Sequence, residues 1–256
     1  MRLTKAQSKL HQQAMELVHS DRRLSEDEKL FVLEHYQESA GALNSLSGAF
    51  FTPHGLARDF ALEVPDGASV IDLCAGIGRL AFQVELKSTR MVCIEYCAAY
   101  AEVGRRVVPD AEWIVGDVFD ADLYAGLGRF GCAISNPPFG QIKTGSYNGP
   151  YKGGLFEYRV IEMASRIADY GAFIIPQESA TFRYSGAQRY RNEVSDRCQA
   201  FLDQTGIEMG ANCGIDTSVY RNDWHSVSPA VEIVTCDFER PASNVDEDQL
   251  DLFSAA

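Results

Sequence analysis

No run of apolar residues approaches the roughly 18 needed to cross a bilayer. The opening stretch, MRLTKAQSKLHQQAMEL, is amphipathic and lacks the apolar centre of a signal peptide. A cytoplasmic location, in bacteria close to the nucleoid, is therefore expected. Positive charge is also scarce: 23 Lys and Arg stand against 36 Asp and Glu, leaving a formal net charge of −13. Such a balance excludes a protein that holds nucleic acid by bulk attraction to phosphate. A polyanionic substrate would need a local basic surface or an outside tether. The seven cysteines (Cys74, Cys93, Cys97, Cys132, Cys198, Cys213 and Cys236) form no CxxC pair and have no paired histidines nearby. Free buried thiols are expected, with neither a disulfide framework nor a metal site. A full Gly-x-Gly-x-x-Gly is missing too, because its third position is Ala81.

What is present fits one large core, since 46% of the 256 residues are hydrophobic. Residues 1–46 read as a helical extension. Leu10, Ala14, Leu17 and Val18 recur at helical spacing, and a second helix starts at Ser25, which makes a capping box with Glu28. In residues 47–238 short apolar strands (SVIDL, MVCIE, EWIVG, CAIS, AFIIP) alternate with helices (LAFQVELK, AAYAEVGRRV, LFEYRVIEMASRIAD). That alternation predicts an α/β domain, a mostly parallel sheet with helices on both faces. GIEMGANCG and AVEIVTCDF are expected to form a long antiparallel pair closing one edge. Residues 239–256, polar and acidic, are expected to be a disordered tail.

The first strand–helix junction, VIDLCAGIGRL, carries Gly76 and Gly78, which let the backbone turn sharply and approach a ligand. The second strand ends at Glu95, where a carboxylate can take both ribose hydroxyls of a nucleoside. The third ends in GDVFD, where Asp117 can accept from an adenine amino group. Together these strand ends describe a nucleoside pocket formed by Asp72, Cys74, Ala75, Gly76, Gly78, Glu95, Tyr96, Asp117 and Val118. The fourth strand runs into SNPPFG, whose two prolines must end it and stiffen the loop.

DLCAGIG, Glu95, GDVFD and SNPPFG, in that order, resemble the class I S-adenosylmethionine-dependent methyltransferases that methylate the exocyclic amino group of adenine. Upstream, GAFFTPHGLARDFA resembles the Phe-Thr-Pro segment of the gamma-ordered DNA adenine methyltransferases. The resemblance covers about residues 48 to 178 and implies a seven-stranded Rossmann-like fold with S-adenosylmethionine as cofactor. It implies that Phe51, Thr52 and Pro53 lie over the methionine part of the cofactor, which Asn136 also borders. Asn136, Pro137, Pro138 and Phe139 would form the catalytic loop. The Asn136 side-chain oxygen and the Pro137 carbonyl would accept the two amino hydrogens of adenine, and Phe139 would stack on a flipped-out base.

For substrate contact the sequence offers QIKTGSYNGPYKGG, with Lys143, Tyr147 and Lys152, and FRYSGAQRYR, with Arg183, Tyr184, Arg189 and Arg191. Arginine interleaved with aromatics suits phosphate contact and base stacking. TSVYRNDWHS, with Arg221 and Trp224, is a weaker candidate. In the acidic tail, Gln249, Leu250, Asp251, Leu252 and Phe253 resemble the pentapeptide with which bacterial proteins bind the DNA sliding clamp. A tether of that kind would compensate for the missing positive charge. The expected activity is methyl transfer to adenine N6 in DNA. An RNA adenine methyltransferase, a protein glutamine N5-methyltransferase and a catalytically silent clamp-binding adaptor remain the alternatives.

Overall fold

The computed structural model describes residues 3–37, 50–142, 147–225 and 227–238. Two helices come first, α1 (Lys5–Val18) and α2 (Glu26–His35). Each begins with a capping box, Thr4 with Gln7 and Ser25 with Glu28, so side chains satisfy backbone N–H groups that have no partner within the helix. The Ser25 box matches the expectation, whereas the Thr4 box was not anticipated. The rest of the helical set is α3 (His54–Phe60), α4 (Arg79–Val84), α5 (Ala98–Val107), α6 (Phe156–Ile167) and α7 (Asp196–Thr205). The strands are β1 (Ser69–Asp72), β2 (Arg90–Glu95), β3 (Glu112–Val115), β4 (Phe130–Ser135), β5 (Ala168–Pro176), β6 (Phe182–Arg183), β7 (Arg191–Asn192), β8 (Gly210–Ala211) and β9 (Val231–Asp237).

Seven strands form one sheet in the order β3-β2-β1-β4-β5-β9-β8, and β6 pairs with β7 in a separate hairpin. Pairings from β3 to β5 are parallel, and β9 runs antiparallel to both neighbours. This is the class I, Rossmann-like methyltransferase fold. Strand order reverses between β1 and β4, the point where open α/β sheets leave a crevice for ligands. Alternation along the strands divides the core. Val70, Cys93, Ile134 and Ile174 face α1 to α5, while Ile71, Ile94, Ala133 and Phe173 face α6 and α7.

The helical extension is built into the first of these cores, which includes Ala14, Val18, Val32 and Leu33. Polar contacts add to the packing: the Arg106 guanidinium donates to the Ser20 carbonyl at 2.7 Å and also to that of Arg22.

Two expectations need correction. The long antiparallel pair is β5 with β9, spanning Tyr170↔Asp237 to Pro176↔Val231, while β8 matches β9 over only two residues. β8 stops early because Asn212 turns the chain. Its side-chain oxygen accepts from the Gly214 and Ile215 amides at 2.9 and 2.6 Å, and its amide nitrogen donates to the Ile233 carbonyl at 3.1 Å. Of the cysteines, Cys93, Cys132, Cys198 and Cys236 are buried, but Cys213 lies exposed on that same turn. No helix among the described residues is long and apolar enough to cross a membrane.

Candidate active site

The turn after β1 requires its glycines, since Gly76 and Gly78 sit at φ of +56° and +87°. A Cβ on Gly76 would lie 3.4 Å from the Phe51 ring, so the turn and the Phe-Thr-Pro segment are packed together. Glu95, at the end of β2, staples this turn to the next one. Its carboxylate accepts from the Gly76 amide at 2.7 Å and from the Cys97 amide at 2.8 Å. Burial raises its pKa, and the two amides pull it back. The Asp117 carboxylate accepts from the Phe119 amide at 3.0 Å. Ala75 and Val118 are buried beside these carboxylates, while Tyr96 is 79% exposed.

Asp72 is the anomaly. Only 1% of it is exposed, yet neither carboxyl oxygen accepts a hydrogen bond of normal geometry from the described residues. Burial lifts its pKa to about 8, against a partial pull from the nearby Cys74 amide. The half-buried Cys74 thiol is pushed well up as well, by burial first and then by the charge of Glu95.

Asn136 follows β4 directly, across the strand reversal from Asp72. Its side-chain nitrogen donates to the Phe50 carbonyl at 3.1 Å and to the Thr52 hydroxyl oxygen at 2.9 Å. A carbonyl can only accept, so these contacts fix which way the amide points. The opposite atom, Asn136 Oδ1, is buried and has no partner among the described residues. Pro53 caps the other end of this segment, its carbonyl accepting from the Ala57 amide at 2.9 Å. Pro137 is buried and Pro138 half-buried, and Phe139 packs partly against the core on the α1–α5 side.

Sequence reasoning passed over Arg79, which ties these parts together. Its guanidinium donates to the Thr52 carbonyl at 2.7 Å and to the Leu33 carbonyl, joining the glycine turn, the Phe-Thr-Pro segment and α2.

The substrate-side candidates divide. Tyr147 packs edge-on against Phe119 with ring centres 5.3 Å apart, and the Arg159 guanidinium lies 4.9 Å from its ring centre. Lys152 donates from its ammonium to the Gly149 carbonyl at 2.8 Å. Both therefore brace their own loop. Lys143 lies outside the described residues, as do Gln249, Leu250, Asp251, Leu252 and Phe253. FRYSGAQRYR forms the β6–β7 hairpin, with Arg189 and Arg191 exposed at its far end. Arg183 pairs with Glu193 at 3.3 Å, the Tyr190 ring stacks on Phe182 at 5.5 Å, and the Tyr184 hydroxyl donates to the Gly214 carbonyl at 3.3 Å. Arg221 is exposed, but Trp224 belongs to the core, which removes it as a stacking surface.

Two buried carboxylates were missed as well. Glu232 on β9 is 0% exposed and accepts from Gln177 Nε2, the Tyr184 and Ser185 amides and the Ser185 hydroxyl, at 2.7 to 2.9 Å. Glu157 in the first turn of α6 accepts from the Gly140 amide at 3.0 Å and the Ser179 hydroxyl at 2.9 Å. An acid inside an apolar run, as in AVEIVTC, was the available signal.

No family model and no curated protein matches the chain. Among solved structures, it resembles a Listeria monocytogenes chain assigned to the class I S-adenosylmethionine-dependent methyltransferases, with a TM-score of 0.58 and 12% identity over 96% of this chain and 78% of that one. It also resembles the M protein of the type I restriction enzyme EcoKI, with a TM-score of 0.54 and 10% identity over 92% of this chain and 55% of that one. A chain from another type I restriction–modification assembly gives a TM-score of 0.51 at 18% identity, over 85% of this chain and 48% of that one. The present chain thus spans about half the length of those two. At these identities the likeness is one of fold.

Proposed function

We propose that the chain transfers a methyl group from S-adenosylmethionine to the N6 amino group of adenine in DNA. One observation carries this reading: Asn136 Oδ1, buried and without a donor among the described residues, next to an amide nitrogen already committed to Phe50 and Thr52. A buried acceptor left unpaired is costly, about 1–3 kcal/mol, and an incoming N–H would satisfy it. The exocyclic amino group of adenine has two such hydrogens, one for Asn136 Oδ1 and one for the Pro137 carbonyl.

The cofactor cradle fits in the same way. Asp72 offers two oxygens that accept no normal hydrogen bond from the described residues, and Gly76 leaves room that a side chain would fill. Asp72 and the glycine turn would hold the methionine end, Glu95 the ribose hydroxyls and Asp117 the adenine. When bound, S-adenosylmethionine supplies a methyl group on a positively charged sulfur, so no strong base is needed before transfer. The contribution of Asn136 and Pro137 is then to orient the nitrogen lone pair, a matter of positioning and preorganised electrostatics.

Likeness in fold to the M protein of a type I restriction enzyme supports DNA as the substrate. The exposed Arg189 and Arg191 supply local positive charge on an otherwise acidic chain. Residues 249–253 enter the proposal as a sliding-clamp tether on their sequence alone.

Sequencing of modified bases in DNA from cells expressing the chain tests the proposal. N6-methyladenine should recur in one sequence context with the wild type and vanish with Asn136→Ala. In vitro, that variant should lose about a hundredfold or more in transfer, as expected for one preorganised hydrogen-bonding group, while still binding cofactor in calorimetry. Methyl groups found only in RNA, or on glutamine, would transfer the assignment to those substrates.

A further inference from the structure

The loop that begins at Asn136 is held at its far end as well. Gly140, at φ +87°, has both sides of its peptide taken by the start of α6. Its amide donates to Glu157 Oε2 at 3.0 Å, and its carbonyl accepts from the Phe156 amide at 2.9 Å. Glu157 is 1% exposed, and none of the described residues forms an ion pair with it. Its other oxygen accepts from the Ser179 hydroxyl at 2.9 Å, and the Ser179 carbonyl accepts from the Tyr158 hydroxyl at 2.9 Å. Ser179 lies in the short 3-10 turn Gln177–Ser179 between β5 and the β6–β7 hairpin. One buried carboxylate therefore joins the end of the Asn-Pro-Pro-Phe loop to the base of the hairpin.

Filling space does not account for a carboxylate here, because an apolar side chain would do so without the cost of burying charge. What a carboxylate adds is two strong, directed acceptors in one rigid group, which fix two backbone segments relative to each other. We propose that Glu157 is a positioning residue: by gripping the Gly140 amide and the Ser179 hydroxyl it sets the placement of Phe139 and aligns the catalytic loop with the arginine-bearing hairpin. The inference rests on the methyltransferase reading above, in which Phe139 meets the target base. It assigns no contact between Glu157 and substrate or cofactor.

The test compares Glu157→Ala, Glu157→Gln and Ser179→Ala in the full chain. Amide hydrogen exchange at Phe139 to Gln141 should speed up about tenfold or more in Glu157→Ala, the counterpart of one lost hydrogen bond to a charged group. Methyl transfer to an oligonucleotide should show kcat reduced about tenfold to a hundredfold, as for a small misplacement of reacting groups, with oligonucleotide KM and cofactor Kd within about twofold. Glu157→Gln should restore kcat to within about threefold, since its Oε1 can accept from Gly140 while its Nε2 donates to the Ser179 oxygen. Ser179→Ala should give an intermediate loss.

The inference is overturned if a folded Glu157→Ala keeps wild-type loop exchange and kcat, or if only KM changes. Should Glu157→Ala fail to fold, Glu157→Gln and Ser179→Ala decide: an uncorrected loss in the first, or no loss in the second, refutes it. A wild type that methylates no DNA refutes the substrate reading instead, and the exchange measurements then decide this inference alone.

Discussion

Asp72 and Glu232 stand on strands of the same sheet, and both are shut away from solvent. Asp72 accepts no hydrogen bond of normal geometry from the described residues, while Glu232 accepts four from the turn and loop that lead into and out of β6. The end of β1 at the strand reversal thus leaves acceptors open, whereas the carboxylate beside the hairpin is saturated. Burial raises the pKa of Asp72, and no positive side chain offsets it. A buried acceptor left unsatisfied is a candidate position for a bound group, and a saturated one suits a scaffold role.

The sharpest way to break this contrast is to remove the saturated member. Glu232→Ala strands several buried donors, each worth about 1–3 kcal/mol when left unpaired, so stability should fall by about 3 kcal/mol or more in urea denaturation. A loss under 1 kcal/mol would show that the hairpin stands without it. Next comes Glu95→Ala, which removes the acceptors for the Gly76 and Cys97 amides as well as any ribose contact. Cofactor affinity measured by calorimetry should weaken about tenfold to a hundredfold, in line with hydrogen bonds to a charged group. Undiminished affinity would remove Glu95 from the site.

The last effect is graded with pH and concerns Asp72. A carboxyl that stays protonated to about pH 8 when folded, against an ordinary value of 3.8, holds an extra proton in the folded state between those limits. Stability of the cofactor-free protein should therefore decline as pH rises across that window, by at most about 1.4 kcal/mol per pH unit from this group. Asp72→Asn should flatten the decline, though Glu95 and Glu157, also raised by burial, keep part of it. An unchanged slope in thermal melts from pH 4 to 8 would mean that Asp72 is ionised in the folded state.

Much of the sheet was legible because its strands are short apolar runs ended by glycine, acid or proline. SVIDL, MVCIE and CAIS correspond to β1, β2 and β4 to within a residue or two. The edge beyond β5 was not, because the brevity of β8 depends on the Asn212 side chain turning back on the chain, a contact that no periodicity encodes. The same applies to the site. Glycines and strand-end acids announce themselves by position, but Arg79, Glu157 and Glu232 act by joining segments far apart in sequence, and only the folded chain says which segments meet. Trp224 shows the reverse error, since an aromatic near an arginine reads the same whether it faces a ligand or the core.

The placement of β9 has a consequence for how the molecule assembles. This strand is the last one described, yet it lies inside the sheet, between β5 and β8, and carries the carboxylate that gathers the hairpin. Its partner β5 precedes it by more than fifty residues, so the pairing must close a long loop, an entropically slow step. During synthesis β1 to β5 can pair as they emerge, and the glycine turn can form with them. The Glu232 carboxylate can reach the turn and loop around β6 only once β9 has been made, so a growing chain completes the glycine turn before it gains that anchor of the hairpin.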